Sequence, residues 1–122
     1  MNLLLDTHTF LWWDDEVLDA RVVAKIQSAE RVFVSAAVAW EIAIKASMGR
    51  LETRSSVAAA IADYAFTELP IRIEHADAVR TLPRHHGDPF DRILVAQATV
   101  DDLVLCTKDP IFAKYGVRTA WT

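Results

Sequence analysis

The chain of 122 residues holds a single cysteine, Cys106, which excludes an internal disulfide and any cysteine-based zinc site. Glycine and proline are scarce as well, three and four residues, and they are scattered. No linker, repeat or low-complexity tract can be drawn from them. Long hydrophobic runs are missing: the longest stretch without Asp, Glu, Lys or Arg is Val32 to Trp40, nine residues. A membrane-spanning helix needs about twenty, so none is expected and no membrane partner either. The opening MNLLLDTHTFLWW lacks a positive leader and carries Asp6 inside its apolar run, which argues against a secretion signal. A soluble, cytoplasmic protein is the expectation. Positive charge is also in short supply, with 13 Lys and Arg against 17 Asp and Glu, a net charge of −4. A protein that holds nucleic acid by electrostatics alone needs the opposite balance. A polyanionic partner would have to be met by metal ions or by a localised basic rim.

What is present is core-forming material. Hydrophobic residues make up 52% and charged residues 25%, which excludes intrinsic disorder. The length suits one domain over residues 1–122, burying roughly two thirds of the unfolded surface. Met1 to Asp6 reads as a short buried strand, and Val32 to Val34 as a second that ends at Ser35, a plausible helix cap. Helical segments are expected from Thr7 to Trp13, Asp19 to Ala29, Ala36 to Met48, Ser56 to Phe66 and Glu74 to Leu82. Gly49 would close the third of these. Asp88-Pro89 opens a further helix to Val100, with cap and proline in their preferred places. Leu103 to Thr107 reads as a buried strand, with weaker strands near Leu69 to Ile71 and Val117 to Ala120. A short helix should start at Asp109-Pro110. Strands alternating with helices predict an α/β fold, a mostly parallel central sheet flanked by helices on both faces.

In such folds ligands bind outside the carboxyl ends of the strands. Asp6 and Asp109 fall at or just beyond such ends. Glu41 is the least expected acid, because Ala36 to Ile44 is apolar on almost every face around it. A carboxylate buried there costs several kcal/mol, to order of magnitude, unless it is paired or bound to a cation. Its structural explanation is a Lys45 partner one turn on, worth about 0.3–0.5 kcal/mol at a surface. Asp91 shares a helical face with Leu94, Val95 and Ala98, though an acid in a first turn also suits the helix dipole. Asp6 and Asp109 could each be no more than a cap. Asp88, before Pro89, is explained by capping alone. Four acids turned toward one sheet edge repel unless a cation sits among them, and oxygen-only clusters suit Mg²⁺ or Mn²⁺.

The remaining polar and aromatic residues have structural readings first. His85 and His86 read as a solvated loop, Arg80, Arg84, Arg92 and Lys108 as solvated faces or a phosphate-holding rim. His8 would orient the loop after Asp6 by hydrogen bonding, and Trp12, Trp13, Trp40 and Trp121 read as core, though Trp12 and Trp13 together could leave one indole for a partner.

Taken together, LLLDTHTFLWW, SAAVAWEIAIKASMGRL, HGDPFDRILVAQA and VLCTKDP resemble, in order and spacing across essentially the whole chain, a PIN domain of the VapC toxin type. The resemblance implies an acidic pocket of Asp6, Glu41, Asp91 and Asp109, with Thr107 as a polar neighbour. It implies a Mg²⁺- or Mn²⁺-dependent endoribonuclease that hydrolyses RNA. It also implies the toxin half of a toxin–antitoxin pair, a homodimer neutralised by a small cognate antitoxin. Two alternatives remain on the residues alone. One is a catalytically silent module whose acids dock a basic partner segment. The other is a phosphatase with Asp6 as nucleophile, disfavoured because His8 stands where a second acid is wanted.

Overall fold

The computed structural model describes residues 1–52 and 55–122. The chain opens with strand β1 (Asn2–Leu5), then helices α1 (Thr7–Asp14) and α2 (Ala20–Ser28) and strand β2 (Arg31–Ser35). Helices α3 (Ala36–Ser47) and α4 (Val57–Tyr64) lead to strand β3 (Thr67–Leu69). Helices α5 (Ile73–Val79) and α6 (Pro89–Val100) precede strand β4 (Val104–Cys106). A 3-10 turn at Phe112–Tyr115 and strand β5 (Thr119–Ala120) complete the domain.

The five strands lie in the order β3-β2-β1-β4-β5, and every pairing is parallel. Neighbouring side chains of a strand point to opposite faces. Leu3, Leu4 and Leu5 are all fully buried, as are Leu105 and Cys106, so the central strands must be covered on both faces. Helices supply that cover through Val22 and Ile26 of α2, Val38 and Ile42 of α3, and Leu94 and Val95 of α6. Among the described residues no helix is long and apolar enough to cross a membrane.

The helix starts follow capping chemistry. Asp6, Asp19, Ser35, Ser56 and Asp88 each accept a hydrogen bond from a backbone N–H of the turn they precede. Gly49 lies just beyond α3 at φ +69°, in the left-handed region that favours glycine. Three boundaries differ from the sequence expectation. The edge strand runs over Thr67–Leu69 rather than toward Ile71, because Pro70 has no N–H to extend the ladder. Helix α5 ends at Val79, and the helix expected at Asp109-Pro110 is only the 3-10 turn at Phe112–Tyr115.

The strand order places the site. From β1 the chain moves to β2 and β3 on one side, then crosses back to β4 and β5 on the other. The carboxyl ends of β1 and β4 therefore flank the point where the strand order reverses, where open α/β sheets leave a crevice.

Candidate functional site

A pocket of about 410 Å³ opens at that point, and Asp6, Glu41, Asp91 and Asp109 all line it. The elements that present them are distinct. Asp6 follows β1, Glu41 lies on α3, Asp91 in the first turn of α6, and Asp109 beyond β4. Thr7, Lys45, Asp88 and Lys108 share the wall.

Asp6 is buried and held on both oxygens. Its Oδ1 accepts from the Thr9 backbone N–H at 2.9 Å, capping α1, and its Oδ2 accepts from the Thr107 hydroxyl at 2.6 Å. The Thr9 hydroxyl in turn donates to the Cys106 carbonyl at 3.0 Å, tying β1 to β4 beneath the site. Glu41, also buried, accepts from the Thr7 hydroxyl at 2.6 Å and pairs with Lys45 at 2.9 Å. The structural explanation for Glu41 is thus realised, although the Lys45 side chain is 40% exposed and free to swing into water. Asp109 is exposed. Its backbone N–H donates to the Thr107 hydroxyl at 3.0 Å, and its Oδ1 accepts from the Ile111 N–H at 3.0 Å, so it caps the turn as well as facing the pocket.

Asp91 has the least support. Asp88 caps α6 by accepting from the N–H groups of Phe90 and Asp91 at 2.9 and 3.1 Å, while the Asp91 carboxylate meets only His86, at 3.1 Å. Burial pushes the Asp91 carboxyl up to about 6, and the negative charges of Asp88 and Glu41 push the same way against the His86 bond. A cation would relieve that strain. The oxygen-only donor set and a carboxylate with too little positive charge beside it both fit a hard divalent ion. Among the described residues, no three Asp, Glu, His or Cys side chains already converge as a finished metal cluster. The acids lean instead on hydroxyls, Lys45, His86 and backbone amides.

Several side chains differ from their sequence reading. His86 is half-buried rather than solvated, its Nδ1 2.7 Å from the Tyr115 hydroxyl. The imidazole therefore bridges the Tyr115 hydroxyl at Nδ1 and the Asp91 carboxylate at Nε2, 3.1 Å away. Arg92 is buried, donating to the Pro83 carbonyl at 2.9 Å and to the Tyr115 hydroxyl at 3.1 Å. It locks the loop before α6 rather than facing phosphate. His8 stands edge-on against Trp12, with ring centroids 5.6 Å apart, instead of orienting the loop by a hydrogen bond. Trp40 is 60% exposed, edge-on to Phe90. Thr7 and Tyr115 carry no sequence signal for their roles, because only the third dimension brings them to Glu41 and His86.

A parallel sheet with an acidic pocket at its switch point is a layout suited to divalent-metal chemistry on an anion, and comparison with known proteins agrees with it. The chain belongs to the PIN domain family, whose model matches residues 3–117. PIN domains are generally nucleases and generally use divalent metal ions. Among curated proteins, none matches the sequence. Solved structures share the fold at low identity. A chain of VapBC from Salmonella typhimurium, determined bound to DNA, has a TM-score of 0.76 at 15% identity, covering 99% of this chain and 98% of that one. A chain of VapBC2 from Rickettsia felis, bound to a DNA fragment from its promoter, has a TM-score of 0.75 at 11% identity, covering 100% and 99%. A chain of FitAcB from Neisseria gonorrhoeae has a TM-score of 0.69 at 22% identity, covering 96% and 95%.

Proposed function

We propose that this chain is a metal-dependent endoribonuclease, the toxin of a VapBC-type toxin–antitoxin pair acting in the cytoplasm as a homodimer. The observation that carries the reading is the convergence of Asp6, Glu41, Asp91 and Asp109 on one pocket at the switch point of a PIN-family sheet. Mg²⁺ or Mn²⁺ would be held by Asp6 and Asp91, with Glu41 and Asp109 completing the shell or orienting water. Bound there, the ion would acidify water and neutralise charge developing on the phosphoryl oxygens.

The chain's own groups do the rest. Thr107 fixes the Asp6 carboxylate against Asp109's turn, so the two acids at the ends of β1 and β4 keep one spacing. Lys45 neutralises Glu41 while the site is empty of substrate and can turn to a phosphate oxygen when Glu41 takes on other work. Lys108, exposed at the rim, offers a second cation to the RNA backbone. His86 holds Asp91 in place at 3.1 Å and itself contacts the Tyr115 hydroxyl. The relatives crystallised as VapBC complexes support a cognate antitoxin as partner.

The Lys45–Glu41 pair also favours a second reading, a catalytically silent module that docks a basic segment in a pocket already partly neutralised. One assay separates the two. Purified chain should cleave RNA with Mg²⁺ or Mn²⁺ and lose the activity in EDTA and in the Asp6→Asn variant. Cleavage that survives EDTA, with no ion found by elemental analysis, overturns the metal reading. A folded chain that cleaves nothing but binds a basic peptide through the acids would establish the silent module.

A further inference from the structure

A second cleft of about 420 Å³ adjoins the acidic pocket and shares two of its wall residues, Trp12 and Lys108. Its other walls are Val17, Leu18, Trp121 and Asp19, whose carboxylate is already engaged by the Arg21 backbone N–H and guanidinium. Trp12 comes from α1, which starts where β1 ends, Lys108 follows β4 and Trp121 follows β5. Three adjacent strands thus deliver these residues to the same carboxyl edge of the sheet as the four acids. The two indoles meet at 66° with centroids 6.1 Å apart, so they form an angled wall rather than a closed stack. Both remain partly exposed, and Lys108 is exposed between this wall and the acids.

From this geometry we propose that the cleft is a nucleobase subsite. It takes one unpaired base of the RNA next to the phosphate that lies among the carboxylates, with an indole face against the base and Lys108 on the intervening backbone. The inference rests on the RNA-cleaving reading and adds to it where the substrate's neighbouring base goes. The chemistry favours a base over a peptide side chain for two reasons. Continuity with the acid pocket through Trp12 and Lys108 lets one strand lie across both clefts. The combination of flat aromatic walls with one cation repeats what single-stranded nucleic acid requires, a stacking platform beside a backbone contact. An acidic protein of net charge −4 has few other ways to hold RNA than stacking next to localised charge.

The experiment compares fluorescein-labelled hexaadenylate with the same ribose-phosphate chain lacking its bases, by anisotropy in Ca²⁺ and by cleavage in Mn²⁺. Intact RNA should bind about fivefold tighter or better, the scale of one base on one aromatic face. Trp121→Leu should close most of that gap, while Trp121→Phe, which keeps a ring, should preserve it. Trp40→Leu, remote from this cleft, should leave it unchanged. Equal binding of the two oligomers, or a full gap in Trp121→Leu, overturns the subsite. A full gap in Trp121→Leu together with lost binding of the purified antitoxin assigns the cleft to protein and also overturns it. A gap that closes in Trp121→Leu without cleavage in any divalent ion leaves the base subsite standing and removes the nuclease reading. Cleavage with no gap does the reverse.

Discussion

Helix α6 carries an aspartate–histidine pair at each end, and the two pairs have opposite electrostatics. At the start, Asp91 meets His86 at 3.1 Å; at the end, Asp101 meets His75 at 3.0 Å. The carboxylates are about equally exposed at their surfaces, 24% and 21%. Both imidazoles turn Nε2 toward the acid, while Nδ1 faces the Tyr115 hydroxyl in His86 and accepts from the Arg72 backbone N–H in His75. Yet burial drives the Asp91 carboxyl up to about 6, whereas Arg72, 2.7 Å from Asp101, holds that carboxyl below its ordinary value. The helix dipole would give the reverse, favouring a charged acid at the first turn by about 0.3–1 kcal/mol and disfavouring one at the last. It loses at both ends. A guanidinium decides the outcome at Asp101, and a recess shared with Asp88 and Glu41 decides it at Asp91. Asp101 is paired by a guanidinium and an imidazole; among the described residues Asp91 has no Lys or Arg partner.

The largest effect that would sharpen this contrast is on catalysis. Asp91→Asn keeps the shape and a hydrogen bond to His86 but removes a charge that the proposed ion needs. Single-turnover RNA cleavage should fall by about a hundredfold or more, the scale of losing one preorganised electrostatic contact. Asp101→Asn should cleave at close to the wild-type rate per folded molecule. If the two variants lose cleavage equally, the distinction between the two ends of α6 is wrong.

Stability should respond the other way round. Asp101→Ala leaves the fully buried His75 without its Nε2 partner and strips Arg72 of its closest acid, which should cost about 1–3 kcal/mol by chemical denaturation. A loss within experimental error would show that the pair is ornamental.

A smaller effect of opposite sign belongs to Asp91 in metal-free protein. An acid whose folded pKa is raised penalises the fold once the unfolded chain ionises near 3.8, and the penalty is complete above about 6. Asp91→Asn should therefore stabilise the fold in EDTA at pH 7.5 by about 1 kcal/mol after allowing for solvent screening, read as a higher melting temperature. The gain should vanish as pH falls below about 4. Asp101 has a lowered pKa, so its contribution is present at pH 5–8 and fades only as pH falls through its folded value, below 3.8. Melting curves of both variants across that range test both signs at once.

The strength of local signals explains which of these features could be read without a structure. Leu3, Leu4 and Leu5 made β1 and the position of Asp6 plain, because a fully buried parallel strand is continuously apolar. Glu41 stands out against its apolar neighbours, and its burial and its pairing with Lys45 one turn on follow from that context. The edge strand was harder, since of Thr67, Glu68 and Leu69 only Leu69 is buried. Three turns are invisible for a different reason. Glu16, Ala65 and Asp102 adopt left-handed φ of 58°, 57° and 54° without glycine, so composition gives no sign of them. His86 and Arg92 resisted for want of any local pattern, because their partner Tyr115 lies 29 and 23 residues further along. Long-range polar pairs of that kind leave no periodicity to find.

The finest division lies inside DPFDR, where two aspartates three residues apart are given different work. Asp88 accepts from the Phe90 and Asp91 N–H groups, which accounts for it as a cap, but it also lines the acid pocket and its charge helps to raise Asp91. Two substitutions separate capping from charge. Asp88→Ala removes both and should cost about 1 kcal/mol of stability, the usual worth of a cap. Asp88→Ser keeps a hydroxyl that can cap the same amides and discards only the charge, so its stability should stay within a few tenths of a kcal/mol of wild type. Both should cleave RNA within about threefold of wild type per folded molecule, since both keep the Asp91 carboxylate proposed to hold the ion. Removing the Asp88 charge should also bring the Asp91 carboxyl down from about 6, which NMR titration of metal-free protein can follow. If Asp88→Ser is fully folded yet cleaves as poorly as Asp91→Asn, Asp88 is itself part of the metal-holding set, and the boundary between cap and ligand in this segment lies elsewhere.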